Sequence, residues 1–374
     1  MKIAFNGQRL AGQPFGVGRY LQYLLRYWGE MLTDDETVSL FLRQPLDPDV
    51  KKMLDPKIRP RLLRYNGSGI PWENMYLRRP ARKHDVLFCP AYSAPVLYRG
   101  PLVVATHSVN ETEKAAHTAL YRQTYSRLYR HNARNADAVI VPCAMTGDAV
   151  ADYYGVDRAK IHIVAQGADE AFRPLNDPET AARTRRAFFG ENRPYILFVG
   201  SASPRRNTPM LIEAFADLRA QGFPHGLVLF GPYKGDVDID ALCKSLGVQD
   251  DVIQTRGEIE KHSDLVPIYD AADVFVHPSE NEGWSMTTTE AMACGTAIIA
   301  SNRGGLRDVV DGHGLMLDTP SRETLAEAMA RVLSTPDLRR SLERRARTRG
   351  QQLTWHKTAQ QTLDIIRRVG EGRI

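Results

Sequence analysis

The residues best suited to chemistry lie in one short stretch, residues 277–295, with the sequence HPSENEGWSMTTTEAMACG. The apolar run AADVFVH leads into it and predicts a buried strand. Ser285 is in position to cap a helix, and Gly295 stands where that helix should end. The stretch therefore predicts a strand, a glycine turn and a short helix in succession.

Two carboxylates bracket this predicted junction, Glu282 in the turn and Glu290 in the helix. A helix that begins after a strand presents free backbone N–H groups and the positive end of its dipole, and both suit a phosphate. We expect Glu290 to lie beside that point and to accept hydrogen bonds from sugar hydroxyls, with Glu282 at the same edge. An acid early in a helix also stabilises the dipole without any ligand, so Glu290 taken alone favours a structural role, and only the whole stretch favours a binding role.

Over its full length, EGWSMTTTEAMACGTAIIAS resembles the nucleotide-sugar motif of glycosyltransferase family four, a family of retaining enzymes with the GT-B fold. The chain departs from the family pattern at Thr287–Thr289, where apolar residues are usual, and at Ala297, where proline is usual. Neither departure removes a polar contact. The resemblance implies that donor-binding residues in this stretch are Gly283, Trp284, Ser285, Met286, Thr287 and Glu290.

A second segment, FVGSASPRRN at residues 198–207, resembles the family's V-G-x-x-x-P-R-K-N sequence, whose basic pair neutralises the donor diphosphate. Arg205 and Arg206 match that pair, and arginine can hold phosphate oxygens with two hydrogen bonds at once. Ser201 stands where many relatives have a further arginine, so we expect Arg205 to take over its role. The alternative is that two arginines before a helix are plain surface charge.

The first half of the chain contains two further candidate sites. Gly16 and Gly18 follow the first predicted strand and resemble the family's glycine-rich loop, which faces the donor diphosphate; a plain tight turn is the alternative. His107 ends the predicted strand VVAT, and the resemblance implies that it orients the transferred sugar together with Glu282. Ser108 replaces the family's usual acid, and a lone histidine at a strand end is often structural. The resemblance implies that the nucleotide base lies near residues 256–259, with Ile259 as the candidate for the side chain beneath it.

Short apolar strands alternate with helical patterns along the chain, which predicts parallel sheets with helical crossovers. We therefore predict an α/β protein with two doubly wound Rossmann-like domains. The resemblance implies that they face each other across a cleft and that the C-terminal helix crosses back to the first domain. The predicted segments are a first domain at 1–172, a linker at 173–193, a nucleotide-sugar domain at 194–352 and a terminal helix at 353–374.

The net charge of +5 is concentrated in residues 1–172, which hold 23 Lys and Arg against 17 Asp and Glu. Such a surface suits an anionic partner, either a phosphorylated acceptor or an acidic membrane. Basic clusters support this prediction at Arg59, Arg61 and Arg64, at Arg78, Arg79, Arg82 and Lys83, and at Arg122 and Arg130 among Tyr121, Tyr125 and Tyr129. A solvated basic face and a packed tyrosine face are the alternatives. No recognition motif for nucleic acid accompanies the charge.

Composition is that of an ordinary globular protein, at 43% hydrophobic and 25% charged residues. Four scattered cysteines and an N-terminus that enters a strand directly predict a cytoplasmic protein without a signal peptide, with contact to the inner face of the membrane as an option. The Asp236-Val-Asp-Ile-Asp240 sequence has the spacing of metal-dependent glycosyltransferases, but it opens a predicted helix whose dipole favours acids. We therefore expect no metal and no cofactor.

The resemblance implies a retaining hexosyltransferase, and we expect it to be metal-independent. The resemblance implies a donor such as GDP- or UDP-hexose, with GDP-mannose slightly favoured by the form Pro-Arg-Arg-Asn. The expected acceptor is a saccharide or a lipid-linked saccharide in surface polysaccharide synthesis. Two alternatives remain open from the sequence: a GT-B nucleotide-sugar epimerase and a non-enzymatic nucleotide-sugar-binding protein.

Overall fold

A computed structural model describes residues 1–10, 16–109, 119–201, 203–232 and 237–374. The chain divides into two compact units, one formed by Met1–Gln166 with Trp355–Ile374 and the other by Gly167–Thr354. We call them unit 1 and unit 2. Each is built on one parallel β-sheet within the described residues, as the alternation of strands and helices predicts.

Unit 1 contains a seven-stranded sheet with the order β3-β2-β1-β4-β5-β6-β7. Its strands are β1 Lys2–Asn6, β2 Thr37–Leu42, β3 Ile58–Leu62, β4 Val86–Cys89, β5 Leu102–Ala105, β6 Ala138–Val141 and β7 Ile161–Ile163. Its helices are α1 Val17–Met31, α2 Pro48–Lys52, α3 Gly69–Trp72, α4 Arg78–Ala81, α5 Ala119–Asn135, α6 Ala144–Ala149 and α15 Trp355–Gly370, with π-helical turns at Glu73–Leu77 and Val150–Tyr154. The order of strands reverses between β1 and β4, so a topological switch point lies there.

The terminal helix α15 belongs to unit 1, which confirms that part of the fold prediction. It covers α1, where the buried Trp28 donates a hydrogen bond from Nε1 to the Ala359 carbonyl at 3.0 Å. Arg367 of α15 binds Glu36 through two hydrogen bonds of 2.7 and 2.8 Å, and this pairing lowers the pKa of Glu36. Trp355 stacks on Tyr23 with ring centroids 4.8 Å apart. The helix is therefore part of the core of unit 1.

Unit 2 contains a six-stranded sheet with the order β10-β9-β8-β11-β12-β13. Its strands are β8 Tyr195–Val199, β9 Gly226–Phe230, β10 Val252–Thr255, β11 Val274–His277, β12 Ile298–Ser301 and β13 Leu315–Leu317. Its helices are α7 Pro178–Phe189, α8 Thr208–Ala220, α9 Ile239–Ser245, α10 Val266–Asp270, α11 Met286–Ala293, α12 Gly304–Val310, α13 Arg322–Ser334 and α14 Pro336–Gln352. The switch point of this sheet lies between β8 and β11.

Unit 2 differs from the sequence prediction in two elements. The stretch predicted as a linker contains α7, because Asp177 caps its first amides, Pro178 suits the first helical position and Gly190 ends it at φ +73°. Strand β13 was not predicted, because three residues of half-buried Leu-Met-Leu carry too little pattern. The described residues include no helix both long and apolar enough to cross a membrane.

Candidate functional site

Three predicted site residues of unit 2 meet at its switch point, at the carboxyl ends of β8 and β11. Arg205 and Arg206 lie in a short turn after β8, and Glu282 follows β11. Glu282 Oε1 accepts a hydrogen bond from Arg206 Nε at 2.8 Å and lies 3.4 Å from Arg205 Nη1. Sequence segments almost 80 residues apart therefore form one ionic cluster.

Glu282 is buried yet carries a negative charge. Burial by itself raises the pKa of a carboxyl, but His277, Arg206 and Arg205 outweigh that effect and hold the pKa of Glu282 at about 2. His277 Nε2 lies 3.6 Å from Glu282 Oε1, and burial lowers the pKa of this histidine. The positive charge that keeps Glu282 ionised therefore comes from the two arginines, because the buried imidazole of His277 is neutral.

Two glycines make the backbone of this cluster possible. Gly200 has φ +136°, and a Cβ there would lie 2.3 Å from Arg206 Nη1. A Cβ at Gly305, the second residue of α12, would lie 2.4 Å from the Gly283 carbonyl oxygen. The amide of Gly305 donates to the Glu282 carbonyl at 2.6 Å, so the turn that carries Glu282 is held by its own backbone.

Helix α11 begins beside the cluster. Ser285 caps it as predicted, accepting a hydrogen bond from the amide of Thr288 at 3.3 Å. Thr288 Oγ1 lies 3.1 Å from His277 Nδ1 and 2.8 Å from Ser285 Oγ, so this departure from the family's apolar pattern is compensated by local hydrogen bonds. The Trp284 indole Nε1–H is buried and has no hydrogen-bond partner within the described residues.

Glu290 also lies on α11, but its partners are separate from those of Glu282. It is 3% exposed; its Oε1 lies 2.8 Å from His262 Nε2, and its Oε2 accepts a hydrogen bond from Tyr269 Oη at 3.0 Å. The ring of Phe172 packs 4.9 Å from that of His262. Sequence reasoning missed both partners of Glu290, because nothing in HSDLVPIYD marks them as polar contacts of a helix 20 residues later.

The predicted residues of unit 1 lie around its own sheet. His107 follows β5, donates from Nε2 to the Pro90 carbonyl at 2.8 Å and accepts at Nδ1 from Gln166 Nε2 at 3.0 Å. Burial lowers the pKa of His107 to about 4, so the imidazole is neutral near pH 7. Gly16 precedes α1 at φ +50°, and Gly18 is buried in its first turn.

Three further predictions have partial outcomes. Ile259 is half-buried in the loop after β10. Asp238 caps α9 by accepting from the Ala241 amide at 2.9 Å, whereas Asp236 lies outside the described residues. Tyr129 is buried and stacks on Tyr92, which favours the packed-face interpretation of the tyrosines on α5; the side chains of Tyr121 and Arg122 also lie outside the described residues.

A buried polar cluster at the switch point of unit 1 was not predicted. Glu73 is fully buried, and its Oε1 accepts hydrogen bonds from Asn6 Nδ2 at 2.8 Å, Gln8 Nε2 at 2.5 Å and Ser93 Oγ at 2.8 Å. Burial raises the pKa of Glu73 to about 7, and the neutral donors lower it only in part. The one signal in the sequence is an acid next to tryptophan in GIPWENMYL, and that signal is weak.

Comparison with known proteins gives matches in both units. Residues 15–172 match the family model described as Glycosyltransferase Family 4, and residues 182–349 match that of Glycosyl transferases group 1. The fold is similar to that of sucrose-phosphate synthase from Thermosynechococcus elongatus (TM-score 0.76, 24% identity, 99% of each chain). It is also similar to that of Anabaena HepE in complex with UDP and glucose (TM-score 0.77, 18% identity, 97% and 98% of the two chains). The predicted GT-B architecture of two α/β domains is confirmed.

Sequence relatives point to the same family. The D-inositol 3-phosphate glycosyltransferase of Kineococcus radiotolerans is 33% identical over 59% of this chain and 55% of its own length, so this chain spans about half of that relative. The α-maltose-1-phosphate synthase of Mycolicibacterium smegmatis is 30% identical over 74% of this chain and 75% of its own length. With matched models in both units and a relative aligned over three quarters of its length, the chain belongs to family 4 of the glycosyltransferases.

Proposed function

We propose that the chain is a retaining hexosyltransferase that uses a nucleotide diphosphate donor and needs no metal ion. The observation that supports this proposal is the cluster of Arg205, Arg206 and Glu282 beside the start of α11. Two guanidinium groups supply donors suited to phosphate or sugar oxygens, and so does the buried N–H of Trp284, which has no partner among the residues that the structure describes. We propose that these donors act by electrostatic stabilisation of the leaving group.

In the proposed reaction, the bond between the anomeric carbon and the diphosphate oxygen breaks, and its electron pair stays on that oxygen. Arg205 and Arg206 stabilise this growing negative charge, most strongly in the transition state. The acceptor hydroxyl oxygen bonds to the anomeric carbon from the same face, and its proton passes to the departing phosphate. We assign Glu282 to orientation of the hexose, and the same role is proposed for His107.

Glu290 is proposed to bind the ribose. One of its oxygens accepts a hydrogen bond from Tyr269, and the other lies 2.8 Å from His262 Nε2. A buried carboxylate held by two side chains is an acceptor of fixed orientation, which suits hydroxyl groups. Tyr269 and His262 would then fix the orientation of the carboxylate before the donor arrives. Ile259 and the glycines Gly16 and Gly18 keep their proposed contacts with the base and the diphosphate.

The donor is proposed at the level of class. A crystal structure of Anabaena HepE contains UDP-glucose, whereas the Pro-Arg-Arg-Asn form of this chain slightly favours GDP-mannose. A panel of UDP-glucose, UDP-galactose, GDP-mannose and GDP, read by thermal shift, identifies the nucleotide. Release of UDP or GDP upon addition of a saccharide acceptor supports transfer. Epimer formation without acceptor would overturn transfer, and so would binding without any nucleotide release. A chelator should leave the activity unchanged.

Membrane contact is proposed through one surface of unit 1. Met75, Tyr76 and Leu97 expose 63%, 38% and 54% of their area, and Asn74 links their two segments by accepting from the Val96 amide at 2.9 Å. Exposed basic residues lie near them in the sequence: Arg79, Arg82, Lys83 and Arg99. Apolar side chains within a basic surface suit anionic lipid. Sedimentation with vesicles containing about 30% phosphatidylserine tests this membrane contact, and vesicles of phosphatidylcholine alone are the control.

A further inference from the structure

Helix α11 and the ionic cluster of unit 2 are connected by a buried side chain, that of His277. This histidine ends β11, is 1% exposed and lies between Glu282 on one side and Ser285 and Thr288 on the other. We propose that it is a positioning residue: its Nε2–H holds Glu282 Oε1 while the hexose is bound, and Ser285 and Thr288 fix the tautomer that carries this proton. That Glu282 orients a hexose rests on the proposed function.

The neutral imidazole of His277 has two possible tautomers, and its surroundings select one of them. Nε2 faces Glu282 Oε1 at 3.6 Å, and that carboxylate is ionised. A lone pair at Nε2 would face this negative charge, whereas an N–H is attracted to it. Nδ1 lies 3.1 Å from Thr288 Oγ1 and 3.2 Å from Ser285 Oγ, and either hydroxyl can donate to it. The proton therefore belongs at Nε2, and Nδ1 is the acceptor.

This arrangement leaves the Nε2–H of His277 without a hydrogen-bond partner in the part of the chain that the structure describes. Its distance of 3.6 Å from Glu282 Oε1 is about 0.7 Å longer than an ordinary N–H···O hydrogen bond. Buried polar groups without a partner are rare, and the hydrogen bonds of an active site are often long until the substrate is bound. We therefore expect a small rotation of the Glu282 side chain to form this bond in the complex with the donor.

The contacts of the Glu282 carboxylate converge on one of its two oxygens. Oε1 accepts a hydrogen bond from Arg206 Nε at 2.8 Å and lies 3.3 Å from Ser279 Oγ and 3.4 Å from Arg205 Nη1. His277 approaches the same oxygen. One oxygen thus anchors the carboxylate, and Oε2 is left to accept from a hydroxyl of the hexose. An anchored acceptor keeps its orientation through the reaction, which favours the transition state.

Two aromatic rings fix the plane of the imidazole. Phe198 of β8 and Phe275 of β11 have ring centroids 5.6 and 5.9 Å from that of His277, with interplanar angles of 70° and 71°. Such edge-to-face contacts have a preferred geometry, and both phenylalanines are fully buried. The imidazole is therefore held with Nε2 directed at Glu282 and Nδ1 directed at α11.

The tautomer is measured on the natural chain without any donor. Labelling of histidine with ¹⁵N and long-range proton–nitrogen correlation distinguish the two ring nitrogens, and nuclear Overhauser effects to Phe198 and Phe275 identify the signals of His277. Because burial lowers the pKa of this histidine, we expect a neutral ring with its proton at Nε2 between about pH 7 and pH 8. A proton at Nδ1, or an imidazolium in this range, overturns the proposal.

Two substitutions separate the two ends of the imidazole. Glutamine places an amide nitrogen near the position of Nε2 and keeps a donor for Glu282, whereas asparagine reaches only the position of Nδ1. We expect the kcat for nucleotide release to be about tenfold or more lower in His277→Asn than in His277→Gln, with donor KM values within about threefold of each other. Equal kcat values in the two variants, or a difference confined to KM, overturns the proposal.

His225 is the matched control. It is also buried in unit 2, and its Nε2 lies 3.7 Å from Asp273 Oδ2, but both residues lie at the opposite, amino edge of the sheet, directly before β9 and β11. His225→Asn and His225→Gln should therefore have equal kcat values. A tenfold difference between them would show that the effect at His277 reflects only the burial of an amide, and would overturn the proposal.

The two measurements also separate this proposal from the proposed function. An Nε2–H tautomer in a chain that releases nucleotide from no donor of the panel would support the position of His277 and overturn the proposed function. Transfer with equal kcat in His277→Asn and His277→Gln would do the reverse. If both variants unfold, the tautomer of the natural chain decides.

Discussion

The two sheets each bury one carboxyl group at their switch point, and the two groups are in opposite states. In unit 1, Glu73 is surrounded by the neutral donors Asn6, Gln8 and Ser93, and its pKa is raised to about 7. In unit 2, Glu282 faces two arginines and has a pKa of about 2. Burial is nearly the same for both, so the neighbours alone decide the charge.

This difference indicates what each edge can bind. The edge of unit 2 is ionic: Glu282 balances one of its two arginines, so one net positive charge is left for the proposed diphosphate. The edge of unit 1 is built on hydrogen bonds around a carboxyl that is neutral below pH 7. Such an edge suits hydroxyl groups, whereas the edge of unit 2 suits negative charge that grows during a reaction.

The largest expected effect comes from removing charge in unit 2. Arg206→Met leaves Glu282 buried with its closest cation gone, and we expect a loss of about 3 kcal/mol in the free energy of unfolding. Donor turnover should fall at least about tenfold. The double variant Arg206→Met/Glu282→Gln should recover stability but not turnover.

Urea unfolding and nucleotide release measure these two effects separately. Arg303→Gln is the matched control, since its pair with Glu280 is more than 40% exposed on both sides and should change stability by about 0.5 kcal/mol or less. Full turnover in the double variant would show that the arginine does not serve the diphosphate.

Glu73→Gln should change the pH dependence of stability. Because the folded pKa is raised from 4.5 to about 7, the favourable contribution of Glu73 is complete below pH 4.5 and is lost as pH rises to about 7. The stability of the variant relative to the natural chain should therefore rise by about 3 kcal/mol between pH 4.5 and pH 8. Any pH-independent effect of the new amide on the free energy of unfolding cancels when the two pH values are compared. Glu282→Gln should show no such change over that range, because Glu282 titrates near pH 2.

A third effect, of about tenfold, is expected at Glu290. Glu290→Gln keeps the shape of the side chain but removes the charge proposed to accept ribose hydroxyls, so the donor Kd should rise about tenfold. Tyr269→Phe removes one hydrogen bond to the same carboxylate and should have a smaller effect. Calorimetry with the nucleotide identified by the donor panel measures both. An unchanged Kd in Glu290→Gln would remove this residue from the donor site.

The smallest expected effect is the absence of a titration. With its pKa lowered to about 4, His107 should show no change in its ring carbon chemical shifts between pH 5.5 and pH 8. A free histidine titrates near 6.5, which serves as the reference in the same NMR experiment. A titration midpoint near pH 6.5 would show that the His107 imidazole is solvated and that its two hydrogen bonds are broken.

The fold was largely predictable because its signals are local. Strands such as Lys2–Asn6 and Val274–His277 coincide with the apolar runs that predict them, and Ser285 and Gly295 mark the limits of α11. The family resemblance predicted features that local patterns do not show, namely the GT-B architecture and the packing of the terminal helix on the first domain. Strand β13 escaped prediction because a three-residue strand has too little periodicity to be distinguished from a loop.

The site was predictable only where the family motif names a residue. Arg205, Arg206 and Glu282 come together as a cluster, yet the sequence gives no sign that Glu282 is balanced by both arginines. Glu73 and its partner Asn6 are separated by 67 residues, and His262 and Glu290 by 28. Such pairs depend on the order of strands in the sheet, so a single sequence cannot show them.

The assignment of α15 to unit 1 bears on how the chain is made. Unit 2 is one continuous segment, Gly167–Thr354, whereas unit 1 needs its first 166 residues and a helix encoded near the end. Until Trp355–Gly370 leaves the ribosome, Trp28 lacks the carbonyl that accepts its N–H, and the α1 surface stays uncovered. Domains usually mature in the order of their synthesis, but here the later-encoded domain is the first to be complete.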